Sequence, residues 1–147
     1  MTNGDLAFHI NKGRTALDQG NTLVAMMHLE SAARISRTPT VLSCLGFCIA
    51  QEKKQLQKAA AMCLDAIKEE PNVPLHYLNL ARIQNLSGHR LKAIRVLQRG
   101  LKYPGNQQIV AELKRLGIRK PLLFQQFGRN HPLNKYTGLL LTRLGLR

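Results

Sequence analysis

Acidic side chains are scarce in this 147-residue chain, which has eight Asp and Glu against 22 Lys and Arg and a net charge of +14. Tryptophan is missing, and aromatic residues make up only 5% of positions. With so few acids there is no spaced carboxylate pair for acid–base chemistry. Nor does the chain contain a nucleophile elbow, a glycine-rich phosphate loop or an H-E-x-x-H metal helix. A non-enzymatic protein without a cofactor is expected. No stretch approaches the ~18 uninterrupted apolar residues of a membrane span. The opening Met1-Thr2-Asn3-Gly4-Asp5 carries an acid and no basic run ahead of an apolar one, so no secretory or transit signal is read and a cytoplasmic location is expected. Cysteine is also sparse: Cys44, Cys48 and Cys63 are an odd number in mid-chain, which does not read as a disulfide framework. Cys44 and Cys48 share a helical face and Cys63 falls on the next helix. With no fourth ligand adjacent, the three are expected as small buried apolar residues rather than a metal site. His9, His28, His76, His89 and His131 are scattered singly, and each reads as a surface or boundary residue.

The positive charge is uneven along the chain. Residues 1–81 hold 8 Lys and Arg against 7 acids, whereas from Arg82 onward there are 14 against Glu112 alone. This asymmetry calls for an acidic partner: a protein segment, nucleic acid or an anionic membrane surface.

The 44% of apolar residues are arranged with a long period. Ala25, Ala59 and Ala93 stand 34 residues apart, followed in step by Leu29, Cys63 and Leu97 and then by Ala32, Ala66 and Gly100. Offsets of three, four and seven residues put each triplet on one helical face. Ahead of each triplet runs another helical segment: Asp5 to Gln19, Pro39 to about Lys53, and Pro74 to Leu86. Gly20 and Gly88 suit the left-handed residue that ends a helix, and Pro39 and Pro74 suit a first helical turn. Pro71 and Pro104 close the second helices of the later two units. The sequence thus predicts an all-α solenoid of antiparallel helix pairs, with small residues where the helices of a pair cross closely.

These residues resemble the tetratricopeptide repeat family, whose pattern is an aromatic or Leu, x2-Leu-Gly-x2-Tyr, Ala-x3-Phe and a closing Pro. The second unit offers Leu42-x2-Leu45-Gly46-x2-Ile49, Ala59-x3-Cys63, Ala66 and Pro71, with one extra residue around Glu52–Gln57. The third offers Tyr77-x2-Leu80-Ala81-x2-Gln84, Ala93-x3-Leu97, Gly100 and Pro104. The first is worn at its start, His9-x2-Lys12-Gly13-x2-Ala16, and recovers at Ala25-x3-Leu29. The resemblance covers roughly residues 5–104. A helix over Asn106 to Leu116 would cap the array, giving a repeat domain at 5–118 and a basic amphipathic extension at 119–147.

The resemblance implies a concave groove, lined by the first helix of each pair, that takes a peptide. Asn11 and Arg14 align with Asn79 and Arg82 two periods on, and an Arg fork beside amide donors suits a carboxylate or a peptide backbone. Between them Cys44 and Phe47 would form a small apolar patch. The family's carboxylate clamp of Lys, Asn and Arg is only partly echoed and is not carried over. The expected partner is a protein or peptide, acidic in character. The alternative is a nucleic-acid or anionic-membrane accessory role through Arg95, Arg99, Lys114, Arg115, Arg119 and Lys120, although no nucleic-acid fold pattern accompanies them.

From Arg119-Lys120-Pro121 onward the period stops. Residues 121–132 read as a loop and 132–147 as a short amphipathic helix, with Leu133, Tyr136, Leu140 and Leu144 on one face. Its apolar surface could pack on the array, enter the groove, dock on a second copy of the chain or rest on an anionic bilayer.

Overall fold

Proline and capped starts and left-handed stops set the frame of the computed structural model, which describes residues 3–117. Seven helices follow one another: α1 (Asn3–Asp18), α2 (Thr22–Ile35), α3 (Pro39–Lys53), α4 (Leu56–Glu69), α5 (Pro74–Leu86), α6 (Arg90–Gly100) and α7 (Gln107–Arg115). The described residues contain no strand. At the start of α2 the Asn21 side chain accepts from the Val24 amide at 3.2 Å, and at the start of α3 Thr38 accepts from Val41 at 3.3 Å. Each satisfies an amide that the first turn leaves without a helical partner. Pro39 and Pro74 occupy the first turns of α3 and α5, where their missing N–H costs nothing.

Residues Gly20, Lys54 and Gly88, 34 apart, all have positive φ, at 75°, 55° and 77°. The two glycines behave as the sequence predicts. Lys54 holds the same place with a side chain, so the extra residue of the second unit falls before it and lengthens α3 to 15 residues, against 13 for α5.

The helices pack as three antiparallel pairs, α1 with α2, α3 with α4 and α5 with α6, and each pair stacks on the next through α2·α3, α4·α5 and α3·α5. This is an all-α helical-repeat arrangement, with α7 against α5 and α6. All nine ladder positions are buried. Closing Leu29 and Leu97 off from water contributes about 1.5–3 kcal/mol apiece. Small residues are required where helices cross. A Cβ on Gly46 would stand 3.0 Å from the Ala59 carbonyl oxygen, and one on Gly100 would meet Ile109 Cδ1 at 2.5 Å.

The middle pair carries most of the core. From Ser43 to Ala50 every residue of α3 is buried, because pair one covers one side and pair three the other. Cys44, Cys48 and Cys63 are fully buried and unpaired, as small apolar side chains would be. Burial pushes all three thiols up, Cys48 to about 12, which keeps them protonated and unreactive. No described helix is long and apolar enough to cross a membrane. The extension at 119–147, with Arg119, Lys120 and His131, lies outside the described residues.

Candidate functional site

On the side where the first helices of the pairs face one another lies a cleft of about 270 Å³ lined by Arg14 of α1, Thr40 of α3, Leu75 and Leu78 of α5, and Gln108 and Ile109 of α7. Val73, Pro74, Pro104 and Gly105 complete its wall. Helices α1 and α7 approach each other here, Gln108 Nε2 donating to Asp18 Oδ1 at 3.5 Å across ninety residues of sequence. The cleft is built from helix beginnings: Thr40, Pro74–Leu75 and Gln108–Ile109 all belong to first turns. Their backbone dipoles therefore point positive ends toward it. No acidic residue lines it. Arg14 is exposed and has neither an ion pair nor a hydrogen bond among the described residues. A guanidinium above an apolar floor of Leu75, Leu78 and Ile109 suits a carboxylate attached to an apolar or backbone segment.

The other residues expected at the groove divide. Asn11 is exposed on α1, three residues before Arg14. Cys44 is sealed among Ala16, Ala25, Met26, Leu29 and Cys48, and Asn79 is equally buried. Asn79 Nδ2 is spent on Ser43 Oγ at 3.4 Å and Cys44 Sγ at 3.7 Å. Phe47 lies in the core with Leu80 and Ile83. Arg82 covers the Phe47 ring, 5.5 Å from its centroid, and pairs with Glu112 of α7 at 3.5 Å. The aligned Asn and Arg of the first and third units therefore have different duties. In the end unit both face outward, whereas the third unit is covered by its neighbours, so Asn79 joins α5 to α3 and Arg82 fastens α7. Glu112 is also gripped by Arg115, whose Nε lies 3.0 Å away and whose charged form Glu112 favours.

The basic residues lie elsewhere. Lys92, Arg95 and Arg99 are exposed on α6, with Arg99 6.0 Å from the Tyr77 ring centroid. Lys114 and Arg115 are exposed at the end of α7.

One polar chain escapes sequence reasoning altogether. His76 is fully buried, which corrects its reading as a surface or boundary residue. Its Nε2–H donates to Glu70 Oε2 at 3.2 Å, leaving Nδ1 to accept from the Ser43 hydroxyl at 2.9 Å. Burial holds the imidazole below its ordinary pKa, against the raising effect of Glu70, so the ring is neutral. Serine, histidine and glutamate in hydrogen-bonded order resemble a nucleophilic triad. Ser43 is completely closed to solvent, however, so this chain pins α3 to α5 and meets no substrate in this conformation. Only a 33-residue separation links Ser43 and His76 in sequence, and no motif marks it.

Comparison with protein-family models and with curated proteins finds no match to this chain.

Proposed function

We propose that this protein is a non-enzymatic scaffold of the tetratricopeptide kind that captures an acidic peptide segment in the cleft between its first helices. The observation that carries the reading is Arg14, a guanidinium without a partner among the described residues, above the apolar floor of Leu75, Leu78 and Ile109 in a cleft with no acid in its lining. Asn11 extends the polar edge along α1. The α6 cations steer an acidic partner toward the molecule by long-range attraction. Orientation within the cleft belongs to Arg14 and the uncapped first turns of α5 and α7, whose starts have no side-chain cap.

The test is fluorescence anisotropy with labelled acidic peptides carrying one or two apolar residues, at ~0.15 M salt. Arg14→Glu is expected to weaken binding about tenfold or more, since a charge-assisted contact of an exposed arginine contributes ~1 kcal/mol and its reversal adds repulsion. Arg95→Glu should change mainly the association rate. Undiminished binding by Arg14→Glu overturns the cleft.

A second reading, nucleic-acid binding, draws on Lys92, Arg95 and Arg99, which have no acid partner among the described residues. Its mark is an affinity that falls steeply and linearly on a log–log plot against salt, and that is lost with α6 rather than Arg14 substitutions.

A further inference from the structure

His9 and His28 are nineteen residues apart, yet the α1–α2 turn brings their rings together, with Nδ1 to Nδ1 at 3.1 Å and ring centroids at 5.4 Å. Both side chains are half-buried. Phe8 stands edge-on to each ring, at 5.4 Å from His9 and 6.2 Å from His28, and so limits how either can turn. The Phe8 ring is itself covered by the Lys12 ammonium at 5.8 Å. Among the described residues, the hydrogen bond between the two Nδ1 atoms is what joins these imidazoles.

We infer that His9 and His28 form a two-imidazole chelate for a divalent transition-metal ion, open to water or a further ligand in its remaining positions. Two nitrogens each ~2.0–2.1 Å from one ion lie roughly 2.9–3.4 Å apart for angles between 90° and the tetrahedral value, and the observed separation falls inside that interval. Without an ion the two Nδ1 atoms share one hydrogen, donated by one ring to the other. To bind, the donor ring moves that hydrogen to its own Nε2. Both Nδ1 lone pairs are then free for the metal, and no proton is lost from the pair. Nitrogen-only ligation selects ions such as Zn(II), Ni(II) and Cu(II) over Mg(II) and Ca(II), which prefer oxygen. Among the described residues no group of three His, Cys, Asp or Glu could hold a metal together. The site is therefore a labile chelate rather than a closed structural one. It joins α1 to α2, so an ion bound there stabilises the pair.

The full-length protein, titrated with Zn(II) by calorimetry, is expected to bind one ion per chain with micromolar affinity. Each of His9→Ala and His28→Ala is expected to weaken binding at least tenfold, while His89→Ala is without effect. Millimolar Zn(II) should raise the Tm of the wild type and of His89→Ala but not of the other two. His28→Gln, which retains side-chain bulk, guards against a folding defect and should behave as His28→Ala. No binding by the wild type, or wild-type binding by both His9→Ala and His28→Ala, overturns the chelate.

Discussion

Single residues settle where this chain turns. Gly20 and Gly88 announce left-handed stops because glycine alone adopts positive φ without cost, and both were legible in the sequence. Lys54 performs the same duty and was not legible, since a lysine gives no sign of a left-handed backbone. The strain it accepts is testable. Lys54→Gly is expected to stabilise the fold by about 0.5–1 kcal/mol, the left-handed penalty of a side chain less glycine's extra freedom in the unfolded chain. The midpoint of urea unfolding, at unchanged slope, measures it, and a lower midpoint contradicts the account. The His9–His28 and Ser43–His76 contacts were equally hidden, because neither follows a local spacing that a motif could encode. The cysteines were readable because Cys63 stands on the apolar ladder.

Helices carry the joints between units. Their starts were plain from Pro39 and Pro74, and the cap expected over Asn106 to Leu116 is helical from Gln107 to Arg115. What fastens that cap was not plain, because the pairing of Arg82 with Glu112 depends on how α5 and α7 cross. Glu112 is buried under two arginines, one of them largely exposed. Glu112→Gln is therefore expected to cost about 1–2 kcal/mol, most of it through Arg82. Amide exchange should quicken in α7 before α1–α4, and uniform quickening would argue against a local fastening. The joint between α3 and α5 responds to acid. His76 is neutral in the folded protein and held below its ordinary pKa of ~6.5, so on acidification the unfolded chain takes up a proton that the folded chain refuses. The stability contributed by this joint is complete above pH ~6.5 and declines as pH falls from there toward the lowered folded value. Urea midpoints measured between pH 7.5 and 5 should fall for the wild type, and His76→Gln should flatten that fall. An equal slope in the two proteins contradicts a neutral buried His76.

At the scale of the whole molecule, the described residues form an all-α stack of three helix pairs followed by a seventh helix; the pairs were readable from the 34-residue period with its glycine and proline punctuation, and the seventh helix from the need of such an array for a cap. The groove was only half readable. Alignment by period treats all units as equivalent, yet stacking buries the middle and third units and leaves the first open. Of the paired asparagines and arginines, only Asn11 and Arg14 therefore remain exposed without a partner among the described residues, while Asn79 and Arg82 hold the array together. That asymmetry leaves the candidate contact at the place where α1 meets the beginnings of α5 and α7. The most direct measurement is amide chemical-shift mapping of the full-length protein titrated with an acidic peptide that carries an apolar residue. The account predicts shifts concentrated at Arg14, Leu75, Leu78, Gln108 and Ile109, abolished by Arg14→Glu. Shifts confined to Lys92, Arg95 and Arg99 on α6, and unaffected by that substitution, would contradict it.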